Sequence, residues 1–83
     1  MSPYQILGKL KWTGEIKKAE ILIRHRGAPN DVKRITGGCI THIARDRFFY
    51  KNDIEATIPM HRILEIKIDN KIVWRKSVSK SHT

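Results

Sequence analysis

The chain is short and strongly basic, and both properties narrow its function. Its 83 residues include 17 lysines and arginines against 8 aspartates and glutamates, a net charge of +9. A chain of this length forms one domain and has no room for a cofactor domain beside a substrate domain. The positive charge favours a polyanionic partner, with nucleic acid as the first choice and an anionic membrane surface as the second.

The first element in chain order is predicted to be a short helix. Ser2 can cap its N-terminus, and Pro3 suits its first turn. The apolar residues of its inner stripe are Tyr4, Ile6, Leu7 and Leu10. Trp12 closes the element, and Gly14 breaks the pattern.

The remainder of the chain has the pattern of short strands separated by turns. Strand signals cover residues 19–25, 32–36, 48–50, 54–58, 64–68 and 72–74, and residues 39–44 are a further candidate strand. The first of these is apolar on both faces, which is typical of a central strand. We therefore expect an α+β domain, in which a short N-terminal helix packs on a strongly curled, mainly antiparallel sheet of five to six short strands. The same pattern is also compatible with a sheet that closes into a small barrel.

The same pattern predicts the core and the extent of the domain. Residues expected to be mostly buried are Leu10, Ile58, Leu64, Ile66, Ile68 and Ile72. The domain is expected to span residues 1–76, and residues 77–83 to form a polar, disordered tail. No apolar run approaches the ~20 residues of a membrane-spanning helix. The N-terminus lacks a secretory pattern and Cys39 has no disulfide partner, so we expect a cytoplasmic location.

The residues around Pro59 are the best candidates for a binding site. Proline fixes its own φ and favours extended geometry before it, so Ile58 should end a strand and a rigid turn should follow. That turn carries His61 and Arg62. A guanidinium offers a planar fork of donors to phosphate oxygens, and an imidazole can also donate to phosphate. The alternative is structural: His61 would tie down a backbone carbonyl, and Arg62 would pair with Glu65.

Other cations stand at the ends of the remaining predicted strands. They are Arg24, His25, Arg26, Arg47, Arg75 and Lys76. Together with the turn residues, they are the predicted phosphate- and RNA-binding residues. For Arg24 and Arg26 a solvated strand end is the alternative interpretation.

Aromatic rings could stack on bases, although core packing is the better interpretation for most of them. The candidates are Trp12, Phe48, Phe49, Tyr50 and Trp74. Basic residues flank residues 48–50, so Tyr50 or Phe49 is the ring we expect to be exposed.

Metal binding and catalysis find little support in the sequence. The histidines at 25, 42, 61 and 82 lack ligand spacing, and we expect no metal and no cofactor. Binding without catalysis is therefore the preferred interpretation, with no catalytic residue assigned. Two alternatives stay open. One is a phosphodiesterase or ribonuclease that uses His25 and His61 as acid and base. The other is a small structural protein on duplex DNA or in a ribonucleoprotein.

Residues 7–76 also carry a family resemblance. The matching residues are Leu7, Leu10, Trp12, Arg26-Gly27-Ala28-Pro29, Gly37, Ile40, Ile58-Pro59, His61-Arg62-Ile63, Ile66 and Val73-Trp74-Arg75. In these the chain resembles the RNA cyclic-group end-recognition domain, a family of small, basic, mostly archaeal proteins. The chain departs from the pattern at Thr13 and His25, where acidic residues are expected, and at Asn70, where glycine is common. The resemblance implies binding of phosphorylated or cyclic-phosphate RNA ends, in or beside RNA processing or repair, with RNA and RNA-processing enzymes as partners.

Overall fold

The structure, a computed structural model, describes residues 2–76, so the predicted disordered tail at 77–83 lies outside the described residues. One helix, α1, spans Pro3–Thr13. The strands that follow are β1 (Ala19–Arg24), β2 (Val32–Thr36), β3 (Ile40–Ile43), β4 (Arg47–Lys51), β5 (Glu55–Pro59), β6 (Ile63–Ile68) and β7 (Lys71–Arg75). Short 3₁₀ turns join several of them, including the 37–39 turn (Gly37–Cys39) and the 60–62 turn (Met60–Arg62).

Local signals at both ends define α1. The Ser2 hydroxyl accepts from the Gln5 amide at 3.3 Å, while the Gln5 side chain accepts from the Ser2 amide at 3.0 Å. These two bonds satisfy backbone donors that a helix N-terminus leaves unpaired. Gly14, with φ of 83°, ends the helix in the left-handed conformation. The predicted helix is therefore confirmed, with Leu7 and Leu10 on its buried side.

The strands form two antiparallel sheets. The larger has the order β2-β1-β6-β7, and the smaller has the order β3-β4-β5. The α+β class is confirmed, and so is the central position of β1. The described strands number seven in two sheets and close no barrel. Two short turns separate the strands into two sheets. The 37–39 turn leads the chain from β2 in the larger sheet to β3 in the smaller one, and the 60–62 turn leads it from β5 back to β6.

Gly37 allows the first of these turns to pack closely. A Cβ atom at this position would collide with the Ile16 carbonyl oxygen and crowd Ala19. Only glycine fits there, and Gly37 is buried. The close approach holds the 37–39 turn against the residues that precede β1.

Most of the predicted core is confirmed, with one clear error. Leu10, Ile58 and Ile66 are buried, and Leu64 and Ile68 are half-buried. Ile72, however, is 45% exposed. The cause is a register shift between β6 and β7, where Trp74 lies opposite Ile66 but Ile72 lies opposite Lys67. An extra residue in one strand of a pair reverses which side chains share a face.

Ile54 is a second error, with a different cause. The alternation of residues 54–58 predicted a half-buried strand, but β5 begins at Glu55. Ile54 lies in the bend before it and is 80% exposed. Within the described residues, no helix has the length and apolar character needed to cross a membrane.

Candidate nucleic-acid interface

The ends of three strands meet at the 60–62 turn. Because β1 and β6 are antiparallel and Ile23 lies opposite Ile63, the end of β1 lies beside the start of β6. Strand β7 also runs antiparallel to β6, and the Lys76 amide donates to the Leu64 carbonyl at 2.8 Å. The fold therefore brings together residues that are distant in sequence.

A groove of about 420 Å³ occupies this meeting point. Its lining consists of Arg24, Arg26, His61, Arg62 and Lys76, and we call it the cation groove. All five residues are exposed. No carboxylate is among the described residues that line it. A concave surface lined by one sign of charge focuses the electrostatic potential and raises the local concentration of anions.

The backbone of the 60–62 turn is held from several directions. Pro59 ends β5 with φ of −62° and ψ of 143°, as the sequence predicted. Met60 is buried, and its amide donates to the Asp46 carbonyl at 2.8 Å. On the other side, the Lys76 ammonium donates to the His61 carbonyl at 2.7 Å. The turn is therefore fixed while the side chains of His61 and Arg62 are exposed.

The structural alternatives for His61 and Arg62 are not realised. Glu65 pairs with Arg75 at 3.2 Å and with Lys67 at 3.5 Å, and Arg62 is not one of its partners. Across residues 2–76, neither the His61 ring nor the Arg62 guanidinium makes a hydrogen bond or an ion pair. Their donors are available to an external ligand.

Three of the predicted site residues lie outside the groove lining. The Arg75 guanidinium is occupied by Glu65. Arg47 belongs to the smaller sheet and donates two hydrogen bonds to Asp46, at 3.3 and 3.2 Å. These bonds hold the pKa of the Asp46 carboxyl below its ordinary value, since they favour the charged form.

His25 is the third residue outside the lining. It lies in the loop that follows β1, and its amide donates to the Asp31 carbonyl at 2.8 Å. The Asp31 side chain also accepts from the Gly27 amide at 3.3 Å, which closes the loop that carries Arg26. His25 therefore sits at the base of the loop, whereas Arg26 reaches the groove.

The aromatic residues were partly misassigned from sequence. Tyr50 is 6% exposed, with its hydroxyl 3.2 Å from the Lys33 ammonium, and Phe49 is half-buried beside the His42 ring. Among the candidate rings, the most exposed is Trp12, at 89%. A signal for it exists in the sequence: two residues turn a helix by about 200°, so Trp12 lies opposite the buried Leu10.

Metal ligands do not cluster in the described part of the chain. Among residues 2–76, no three histidine, cysteine, aspartate or glutamate side chains form a group that could hold a metal ion.

Comparison with known proteins places the chain in a family. The family model for the MJ1316 RNA cyclic group end recognition domain matches residues 1–76. A UPF0248 protein of Thermococcus sibiricus is 36% identical over 75 residues, covering 87% of this chain and 82% of the relative. A UPF0248 protein of Archaeoglobus fulgidus is 31% identical over 70 residues, covering 84% of this chain and 99% of the relative. No solved structure matches. The chain belongs to the MJ1316 RNA cyclic group end recognition domain family.

Proposed function

We propose that the protein binds the end of an RNA strand and that the cation groove holds its terminal phosphate, either open or cyclic. The observation that carries this proposal is the convergence of three arginines, one lysine and one histidine, from three strand ends, on one groove. The family description names RNA cyclic-group ends, which supports the same ligand.

The chemistry of the groove suits a phosphate with several free oxygens. Arg62 offers a planar pair of donors, and His61 adds a donor from the neighbouring position. Arg24 and Arg26 approach from β1 and the loop after it, and Lys76 approaches from the end of β7. A terminal phosphomonoester has one more non-bridging oxygen than an internal phosphodiester. A terminal cyclic phosphate is a diester, but no nucleotide follows it to cover one side, so donors from several directions favour either end over an internal phosphate.

The shape of the groove distinguishes this proposal from a coating of duplex nucleic acid. A coat needs a broad and even basic face, whereas these cations surround one concavity of about 420 Å³. That volume lies within the usual range for sites that enclose a small ligand. We infer recognition of one group rather than general attraction to a backbone.

A binding assay with matched RNA ends tests the proposal. One short RNA is prepared with a 3′-hydroxyl, a 3′-phosphate or a 2′,3′-cyclic phosphate, and its affinity is measured at two salt concentrations. The phosphorylated or cyclic end should bind more tightly than the hydroxyl end. Equal affinity for all three ends, or tighter binding of a duplex DNA of the same length, would contradict end recognition.

Arg62→Ala locates the recognition within the protein. Because hydrogen bonds to charged groups contribute about 1.5–3 kcal/mol, its loss should weaken phosphate-ended RNA by roughly 10- to 150-fold and remove the preference among ends. The control replaces two exposed lysines that precede β1 and lie outside the groove lining, Lys17→Ala with Lys18→Ala, and should weaken all RNAs about equally. A folded Arg62→Ala protein that keeps its full end preference would place the phosphate elsewhere.

Incubation of the cyclic-phosphate RNA with the protein tests the hydrolytic alternative. Opening of the ring to a phosphomonoester that depends on His61 and His25 would show a phosphodiesterase in place of a binding module. Recovery of unchanged RNA from a complex that forms tightly is the expected result.

A further inference from the structure

We propose a second binding subsite, in which a nucleobase of the same RNA strand stacks on the indole ring of Trp12. The subsite is a groove of about 690 Å³ between the outer face of α1 and β3, and we call it the tryptophan groove. Its lining residues are Tyr4, Gln5, Gly8, Lys9, Lys11, Trp12, His42 and Ile43. This inference rests on the proposed function in taking RNA as the ligand, and it adds contacts beyond the end group.

The exposure of Trp12 is the first observation that carries the inference. Its side chain is 89% exposed in a domain that buries Leu7 and Leu10 of the same helix. An indole buries a large apolar area when it is covered, and stacking of a base on an aromatic ring contributes about 1–3 kcal/mol. A ring in this position contributes little to folding and leaves its face available to a ligand.

The absence of a side chain at Gly8 is the second observation. Glycine in the interior of a helix costs about 1 kcal/mol relative to alanine. Nothing in the packing requires it here, since a Cβ at Gly8 would meet no atom within 4 Å. Gly8 lies one turn before Trp12 and one turn after Tyr4, so it leaves an open floor between two rings.

The charge of the lining decides which kind of ligand fits. Lys9 and Lys11 border the groove, and within the described residues its lining contains no carboxylate. The Lys11 ammonium lies 3.5 Å from the Thr41 carbonyl oxygen, which places this charge between α1 and β3. Rings interleaved with lysines favour a ligand that is both planar and anionic, and single-stranded nucleic acid has both properties.

A depression at the N-terminus of α1 adjoins the tryptophan groove and includes the residue that precedes His61 of the cation groove. Tyr4 and Gln5 also line this depression of about 520 Å³, which extends to Arg45 and Met60. Met60 begins the 60–62 turn, which carries two residues of the cation groove. From Tyr4 to Trp12 the helix is about 12 Å long. A strand whose end lies in the cation groove can therefore follow this path and place an upstream base on Trp12.

Abasic substitution in the RNA isolates the base contact from the phosphate contacts. A short RNA with a 3′-phosphate, and the same RNA with a 3′-hydroxyl, are each made with one base removed at successive positions from the end. In the wild-type protein, one position upstream of the end should lose roughly 5- to 150-fold in affinity when its base is absent. Trp12→Ala should bind intact RNA as weakly as wild type binds that abasic RNA, and should be indifferent to the missing base.

Trp12→Phe is the matched variant, because it keeps a ring at the same place. It should retain most of the base-dependent affinity that Trp12→Ala loses. The fold should survive both changes, since the residue is exposed, and circular dichroism with a thermal melt checks this. The ratio between phosphate and hydroxyl ends should stay the same in all three proteins, because that ratio reports on the cation groove.

The outcomes separate the two proposals. If Trp12→Ala binds every RNA as wild type does, the tryptophan subsite is wrong while end recognition stands. If removal of one base matters through Trp12 but all ends bind alike, the subsite stands and end recognition is wrong. If Trp12→Ala changes only the sedimentation behaviour of the protein and not its RNA affinity, the surface is a protein contact, and the subsite is again wrong.

Discussion

The cation groove and the tryptophan groove differ in how their residues are held. The first is built on the ends of β1 and β7 and on the 60–62 turn, whose backbone is tied by Met60 and Lys76. The second is built largely on the outer face of one helix, and its principal group is a single exposed side chain. Donors carried on a fixed backbone are suited to discrimination between phosphate geometries, whereas an exposed ring accepts any base. Under the two proposals, the cation groove would provide selectivity among RNA ends and the tryptophan groove would provide additional affinity.

The two regions depend on one core, and Ile66→Ala should disturb both with the largest effect. Ile66 is fully buried on β6, the strand that lies between β1 and β7, and α1 contributes Leu7 and Leu10 to the same core. Truncation of a buried isoleucine to alanine lowers the free energy of unfolding by roughly 2–5 kcal/mol. In a domain of this size that is a large share of the total stability. Urea unfolding measures the loss.

Ile72→Ala is the matched control for this change. It removes the same atoms from the same sheet, but at an exposed position on the edge strand β7. Its effect on the free energy of unfolding should be well under half that of Ile66→Ala. Equal losses for the two variants would show that β7 is covered in solution and that the register of β6 against β7 is different.

The parts of the cation groove differ in how far the sequence alone could predict them. Pro59 acts through local chain geometry, so the rigid turn and the positions of His61 and Arg62 followed from a short segment. The convergence of Arg24 and Arg26 on that turn depends on the pairing of β1 with β6, which are far apart in the sequence. Short-range patterns do not specify such a pairing, so the sequence predicted that these residues share in phosphate binding without showing how the fold brings them together.

The errors have a related cause. Alternation along residues 64–72 assumes a regular ladder, and one bulge between β6 and β7 was enough to expose Ile72. The exposure of Trp12 was not predicted for another reason. A tryptophan in a small domain is usually packed in the core, so we expected this ring to be buried. Its place on the helix opposite Leu10 was readable, but the general expectation for aromatic residues outweighed it.

The salt dependence of RNA binding should distinguish the cation groove from the tryptophan groove, and we expect a moderate difference between the two variants. Affinity should fall steeply as NaCl rises from about 50 to 200 mM, because cations that bind phosphate release counterions from RNA. Arg62→Ala should reduce the slope of log Kd against log salt concentration by about 1, since it removes one phosphate contact. Trp12→Ala should weaken binding at every salt concentration and leave the slope unchanged. Titrations at four or more salt concentrations give both quantities.

Two results would contradict this division of roles. An unchanged slope in Arg62→Ala would mean that the guanidinium does not contact phosphate. A reduced slope in Trp12→Ala would mean that the helix face acts through its lysines and not through the ring. In that second case, Lys9→Ala with Lys11→Ala should reproduce the loss of slope.

Arg47→Ala should change RNA affinity least among these variants, and it is the most direct control for the cation groove. It removes one positive charge, as Arg62→Ala does, so both variants reduce the overall attraction to RNA by the same formal charge. Arg47, however, lies on the smaller sheet and already donates to Asp46 at 3.3 and 3.2 Å. We therefore expect a slight and uniform loss of affinity with the end preference intact. Competition binding between phosphate-ended and hydroxyl-ended RNA measures this preference without depending on absolute affinity.

The effect of Arg47→Ala can also be measured independently of RNA binding, through the pKa of the Asp46 carboxyl. Hydrogen bonds from Arg47 lower the pKa of this carboxyl, so Arg47→Ala should raise the pKa toward its ordinary value. The pKa of Asp46 rises because its charged form loses the hydrogen-bond donors of Arg47. This difference in pKa changes the charge of Asp46 only in the acid range where the carboxyl titrates. At neutral pH, Asp46 stays ionised in both proteins, and the RNA comparison is unaffected. A carboxyl titration by NMR that shows the upward shift confirms that the pair has been broken. If Arg47→Ala then abolishes the end preference, the terminal phosphate lies on the β4 side of the molecule, and the cation groove is not its site.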